Sequence, residues 1–144
     1  MTGMTRRAAA VMWGSMLLVP LFFLALAGTM RWPHPHVASA EALFWATVVS
    51  SAVEVGLSRV LPPRLRLRQL GPEATAFTRL LVAWALCEAA AFFPVVAWIV
   101  TDDPRLIAVC ILGLLALALL YPGDRRWARL SPRPDAPPVE GADH

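Results

Sequence analysis

The stretch Leu80-Leu81-Val82-Ala83-Trp84-Ala85-Leu86-Cys87-Glu88-Ala89-Ala90-Ala91-Phe92-Phe93-Pro94-Val95-Val96-Ala97-Trp98-Ile99-Val100 contains one charged residue, Glu88, near its middle. A transmembrane helix needs about 20 consecutive apolar residues to cross a hydrocarbon core of ~30 Å, and this run supplies them. A carboxyl at that depth is costly, so it is normally paired, protonated or turned toward protein, and is a functional candidate by default. Glu54 lies inside a second apolar run and raises the same question.

Working outward, the runs from about Ala8 to Met30, Ala42 to Leu61, Thr78 to Val100 and Leu106 to Tyr121 each read as a span. The fourth is the shortest, but its core from Leu114 to Leu120 is wholly apolar. Pro20 and Pro94 fall inside the first and third spans, where a proline kink is tolerated. Bulk composition agrees with the segment reading. Of 144 residues, 58% are hydrophobic and only 16% charged, with mean hydropathy +0.58. A soluble domain carries about 25% charged residues. The length suits one unit, residues 1–122, followed by a tail, 123–144, that is basic and then Pro-rich and is expected to be disordered. The expected fold is an all-α integral membrane four-helix bundle.

Orientation follows from arginine. All thirteen basic residues are Arg, a composition associated with GC-rich bacterial genomes. Eleven of them flank the first span, fill the loop between the second and third, or follow the fourth; only Arg31 and Arg105 lie on the other side. The positive-inside rule then puts both termini and the middle loop in the cytoplasm of a bacterial inner membrane, and the bias argues against dual insertion. Trp32, Trp98 and Trp127 fall near the expected interfaces. Arg6-Arg7, the apolar run and Ala25-Leu26-Ala27 also resemble a cleavable signal, but the run is longer than a usual signal core, so it is read as a span.

Several chemistries find no support. Cys87 and Cys110 sit in separate spans and read as small hydrophobes, with no disulfide or metal motif. No His accompanies a Ser or Cys at membrane depth, and phosphate-loop and zincin patterns are lacking, so the chain is not read as an enzyme. His34, His36, Asp102 and Asp103 could meet in the outer loops as a metal site. Asp103-Pro104 has a plainer reading as N-cap and first residue of a helix. No metal or cofactor is expected. Arg64, Arg66 and Arg68 make the middle loop the most basic patch, suited to anionic headgroups at roughly 1 kcal/mol per residue or to a soluble partner. Nucleic acid is not expected, since topology accounts for the basic residues and no aromatics interleave them.

Helix faces carry the remaining information. Thr47, Ser51, Glu54 and Ser58 fall within about 60° of one another at 100° per residue, forming one polar stripe. Such a stripe should face another helix, where small hydroxylated residues permit close approach and hydrogen bonding. Glu88 shares its face with Leu81, Trp84, Ala85, Ala91, Phe92 and Val95. Alanines there leave a shallow surface for a neighbour, and the aromatics would shield the carboxyl. Antiparallel packing of the second and third spans would let Glu54 and Glu88 approach, and two carboxyls in one site would share a proton.

Arg68-Gln69, Pro72-Glu73 and the run from Arg79 through Glu88 to Ala97 together resemble the loop and second helix of rotary ATP synthase subunit c. That family has an Arg-Gln-Pro type loop followed by an Ala-Leu-x-Glu-Ala pattern. The resemblance covers about thirty residues and implies that Glu88 stands at the ion-carrying carboxylate, with Arg68 and Gln69 in the stalk-facing loop. Ala89, where sodium-binding relatives have a hydroxyl, implies protons. The chain departs from the family in having only Gly56 in the preceding helix, Pro94 after the aromatic pair and an extra helix at its start, so it is not read as a ring subunit. Small four-helix drug-efflux proteins are similar in size, but their glutamate lies in the first helix, which here has none. The leading expectation is a structural or accessory membrane subunit that assembles with itself or other membrane subunits. The alternative is a proton-binding transport element using Glu88.

Overall fold

A computed structural model describes residues 2–29, 39–65 and 71–130, with side chains from Arg7 onward in the first of these. The described residues form five α-helices: α1 (Thr2–Thr29), α2 (Ala40–Arg64), α3 (Pro72–Thr101), α4 (Arg105–Ala118) and α5 (Asp124–Leu130). Three of them, α1, α2 and α3, are long and apolar enough to cross a membrane, while α4 is an apolar helix of 14 residues.

The helix limits have local causes. Gly71 caps α3 and Pro72 begins it, where a missing N–H costs nothing. At its far end Asp102 adopts a left-handed conformation, φ 55°, and returns its N–H to the Trp98 carbonyl at 2.8 Å. That is the usual helix stop, made with Asp where Gly is commoner. Pro62 and Pro63 lie inside the last turn of α2, so the helix outlasts the expected end at Leu61 and stops at Arg64. Helical turns follow α4 as far as Tyr121, whose N–H meets the Ala118 carbonyl, and Pro122 then ends the run. The helix α5 was not expected, since the segment after residue 123 reads as basic tail; the Pro-rich part, 131–144, lies outside the described residues. Both α1 and α3 continue through Pro20 and Pro94.

The third helix is the hub. It packs against α1, α2 and α4 and touches α5, and α4 also touches α2 and α1. Half of its apolar window is buried, against 11% for α1 and for α2. Phe23 meets Phe92 with ring centroids 5.1 Å apart, and Gly28 lies against Trp98, so α1 runs parallel to α3. One core cluster joins Ala9, Leu80, Ala83, Trp84, Cys87, Ala116, Leu117 and Leu120; a second joins Ala27, Ala91, Val95, Cys110 and Leu114. At Gly113 α4 and α3 approach closely: a Cβ there would stand 2.7 Å from the Ala91 nitrogen and 2.8 Å from the Ala90 carbonyl group. Only a residue without a side chain lets α4 rest on the α3 backbone there.

Two indoles hold the end of α4. The last carbonyls of a helix have no partner within it. Trp13 of α1 donates from Nε1 to the Leu117 carbonyl, and the fully buried Trp84 donates to the Leu120 carbonyl, each at 3.0 Å.

Candidate intramembrane glutamates and the arginine-rich end

The α2 stripe faces α3. Thr47, Ser51 and Ser58 are buried, and Pro62 is the only other buried residue of α2. Ser51 Oγ donates to the Ala90 carbonyl of α3 at 3.1 Å. Cys87 Sγ donates to Ser58 Oγ at 3.3 Å, and the Ser58 hydroxyl donates in turn to the Val55 carbonyl. Thr47 turns its hydroxyl back to the Leu43 carbonyl of its own helix at 2.8 Å.

The two glutamates are held differently. Glu54 Oε1 accepts from Ser50 Oγ at 3.3 Å, while Oε2 is buried and has no partner among the described residues. Glu88 is half-buried and has no hydrogen-bond or ion-pair partner among the described residues. It lies about 100° around α3 from Cys87, which marks the α2 contact. Its face is the one that carries Phe92 toward α1. The two carboxyls therefore share no hydrogen bond. Trp84, expected beside Glu88 as a shield, points its N–H at the end of α4 instead.

At the opposite pole from the α3–α4 turn, arginines gather. Arg79 clamps three elements: Nη1 donates to the Leu130 carbonyl of α5 at 2.8 Å and Nη2 to the Leu65 carbonyl at 3.0 Å. Arg126 Nη1 donates to the Leu119 carbonyl at 2.7 Å. Burial, with Arg59 and Arg129 nearby, pushes the Arg126 guanidinium below its ordinary pKa. Arg64 is exposed at the end of α2; Arg66 and Arg68 lie outside the described residues.

At the α3–α4 turn, α4 begins at Arg105 with Pro104 in the N-cap position, one residue later than expected, and Asp103 accepts from the Arg105 backbone N–H at 3.0 Å. The Arg105 guanidinium spans Asp103 and Glu41, both at 2.7 Å, and stacks 4.1 Å over the Phe44 ring, tying α4 to the start of α2. Arg105 thus occupies the Asp103 carboxylate that a metal would need, while His34 and His36 lie outside the described residues. Sequence reading missed the Arg105–Glu41 pair, which joins residues 64 apart in the chain. Compared with known protein families, curated proteins and solved structures, the chain matches none.

Proposed function

We propose that this is a four-span protein of the bacterial cytoplasmic membrane, with both termini and the α2–α3 connection on the cytoplasmic side. Its role is that of a non-enzymatic structural or accessory subunit, assembling with itself or other membrane subunits through polar helix contacts. Exposed apolar side chains on α1 and α2, among them Val11, Leu18, Phe22, Val49 and Val53, suit a lipid surroundings. The observation that carries the subunit reading is Glu88, half-buried at mid-helix with no partner among the described residues. A polar group at membrane depth finds a partner where it can, and a helix of a second molecule supplies one.

A second reading, proton binding at Glu88, draws on the same free carboxyl and on the resemblance to subunit c. The two separate in one experiment. Native membranes are treated with a hydrophobic carbodiimide across a pH series, adducts are mapped by mass spectrometry, and the size of the detergent-extracted complex is compared for wild type, Glu88→Gln and Glu88→Leu. The subunit reading expects no adduct at Glu88, an unchanged complex in Glu88→Gln, where the amide still hydrogen-bonds, and a smaller one in Glu88→Leu. Labelling of Glu88 that fades as pH rises, with a complex unaffected by either substitution, would replace that reading with proton binding.

A further inference from the structure

A cleft of about 380 Å³ opens between the end of α2, the first half of α3, the end of α4 and α5. Arg59 of α2 and Arg126 and Arg129 of α5 line it, over an apolar floor that includes Leu80, Ala83 and Leu120. No carboxylate lines it among the described residues. Arg59 and Arg129 have no hydrogen-bond or ion-pair partner among those residues, and Arg126 bonds only to the Leu119 carbonyl.

Among the described residues lining the cleft no carboxylate offsets the three guanidinium charges, so they repel one another, and the fold holds them together. Arg79 fixes the last carbonyl of α5, and Trp127 and Leu130 pack on the first core cluster, so α5 cannot swing away to relieve the repulsion. An anion in the cleft would remove the repulsion and collect charge-assisted hydrogen bonds, for which guanidinium geometry suits phosphate. The floor rules on the rest of the ligand. Leu80, Ala83 and Leu120 offer nothing to a small hydrated anion, but they suit the glycerol and first methylenes of an amphiphile.

We infer that this cleft binds the phosphate headgroup of an anionic phospholipid of the cytoplasmic leaflet, with Arg59, Arg126 and Arg129 as its ligands. The inference rests on the membrane placement proposed above. Basic pockets between membrane helices on the cytoplasmic side are a physically favoured place for such headgroups. The site differs from the Arg64–Arg68 loop, to which composition alone would assign lipid contact.

Native mass spectrometry of the full-length chain in detergent, titrated with phosphatidylglycerol or phosphatidylcholine, tests it. Wild type is expected to bind phosphatidylglycerol at least about tenfold more tightly than phosphatidylcholine. Arg129→Gln, at an exposed residue with no bond to break among the described residues, should reduce that preference several-fold, and R59Q/R126Q/R129Q should abolish it. Arg125→Gln, outside the cleft, should leave it intact. Equal binding of the two lipids by wild type, or an undiminished preference in Arg129→Gln, overturns the inference. So does complete displacement of phosphatidylglycerol by millimolar inorganic phosphate, which would make the site one for the free ion. Alkaline carbonate extraction of native membranes is read separately. Release of the chain there overturns the membrane placement itself, whereas retention without lipid preference overturns only the headgroup site.

Discussion

Arg105, at the α3–α4 turn, has two acids to hold. The Arg105 hydrogen bonds hold the Asp103 carboxyl below the usual carboxylate range. A group whose pKa is lower folded than unfolded stabilises the fold above its unfolded value, about 3.9 for Asp, and that contribution fades as pH falls through the folded value. Acid should therefore loosen the α3–α4 turn that Asp103 and Arg105 hold. The effect should be small, because exposed pairs are screened by water. Thermal unfolding in detergent at about pH 6 and about pH 3 should show a larger loss of Tm for wild type than for Arg105→Gln. Equal losses would mean that the pair contributes nothing to stability. At this scale the sequence was readable where one residue acts locally. A helix start at Asp103-Pro104 follows from those two residues to within one position, and the buried Thr47, Ser51 and Ser58 follow from their spacing. The Glu41 pairing was not readable, because it depends on how α2 and α4 lie in space.

Between elements, the contact that sets the packing of α4 is a backbone surface. Gly113 admits the Ala90–Ala91 backbone so closely that any side chain must push α4 outward. Gly113→Ala should cost about 1–3 kcal/mol, as overpacking usually does, even though alanine favours helix by itself. A fall in Tm measured by circular dichroism in detergent checks this, and an unchanged or raised Tm would show that the helices can part freely. No periodic signal marked Gly113, because a single glycine in an apolar run is compatible with lipid, loop or contact. The polar stripe was legible for the converse reason: three hydroxyls and the Glu54 carboxyl at spacings of four, three and four cannot all face lipid. Helix ends were readable only in part. Hydropathy carried the fourth span to Tyr121, whereas α4 stops at Ala118 with turns beyond it, held by Trp13 and Trp84 from other helices. Hydropathy is likewise blind to α5, whose seven residues are held by Arg79 and by Trp127 and Leu130 on the core.

For the whole molecule, the all-helical architecture and three long apolar helices were legible from segment hydropathy, while the hub position of α3 was not. Its high alanine content, with Ala83, Ala90, Ala91 and Ala97 buried, is what lets several helices approach it closely. The proposed topology gives a direct expectation. With native Cys87 and Cys110 buried and silent, a membrane-impermeant maleimide applied to intact spheroplasts should label Pro104→Cys and spare Gly71→Cys. Lysis should expose the latter. The reverse pattern would invert the topology, and labelling of both in intact cells would mean mixed insertion.

The shortness of α4 has a consequence for the surroundings. At 1.5 Å per residue its 14 residues measure about 21 Å, beside about 45 Å for the 30 residues of α3. In the membrane placement proposed above, a bilayer meeting both would dip toward α4 or let water and headgroups sink beside it, each at a fraction of a kcal/mol per Å of mismatch. On that placement the molecule is expected to collect in thin or compressed patches of membrane rather than in thick ones.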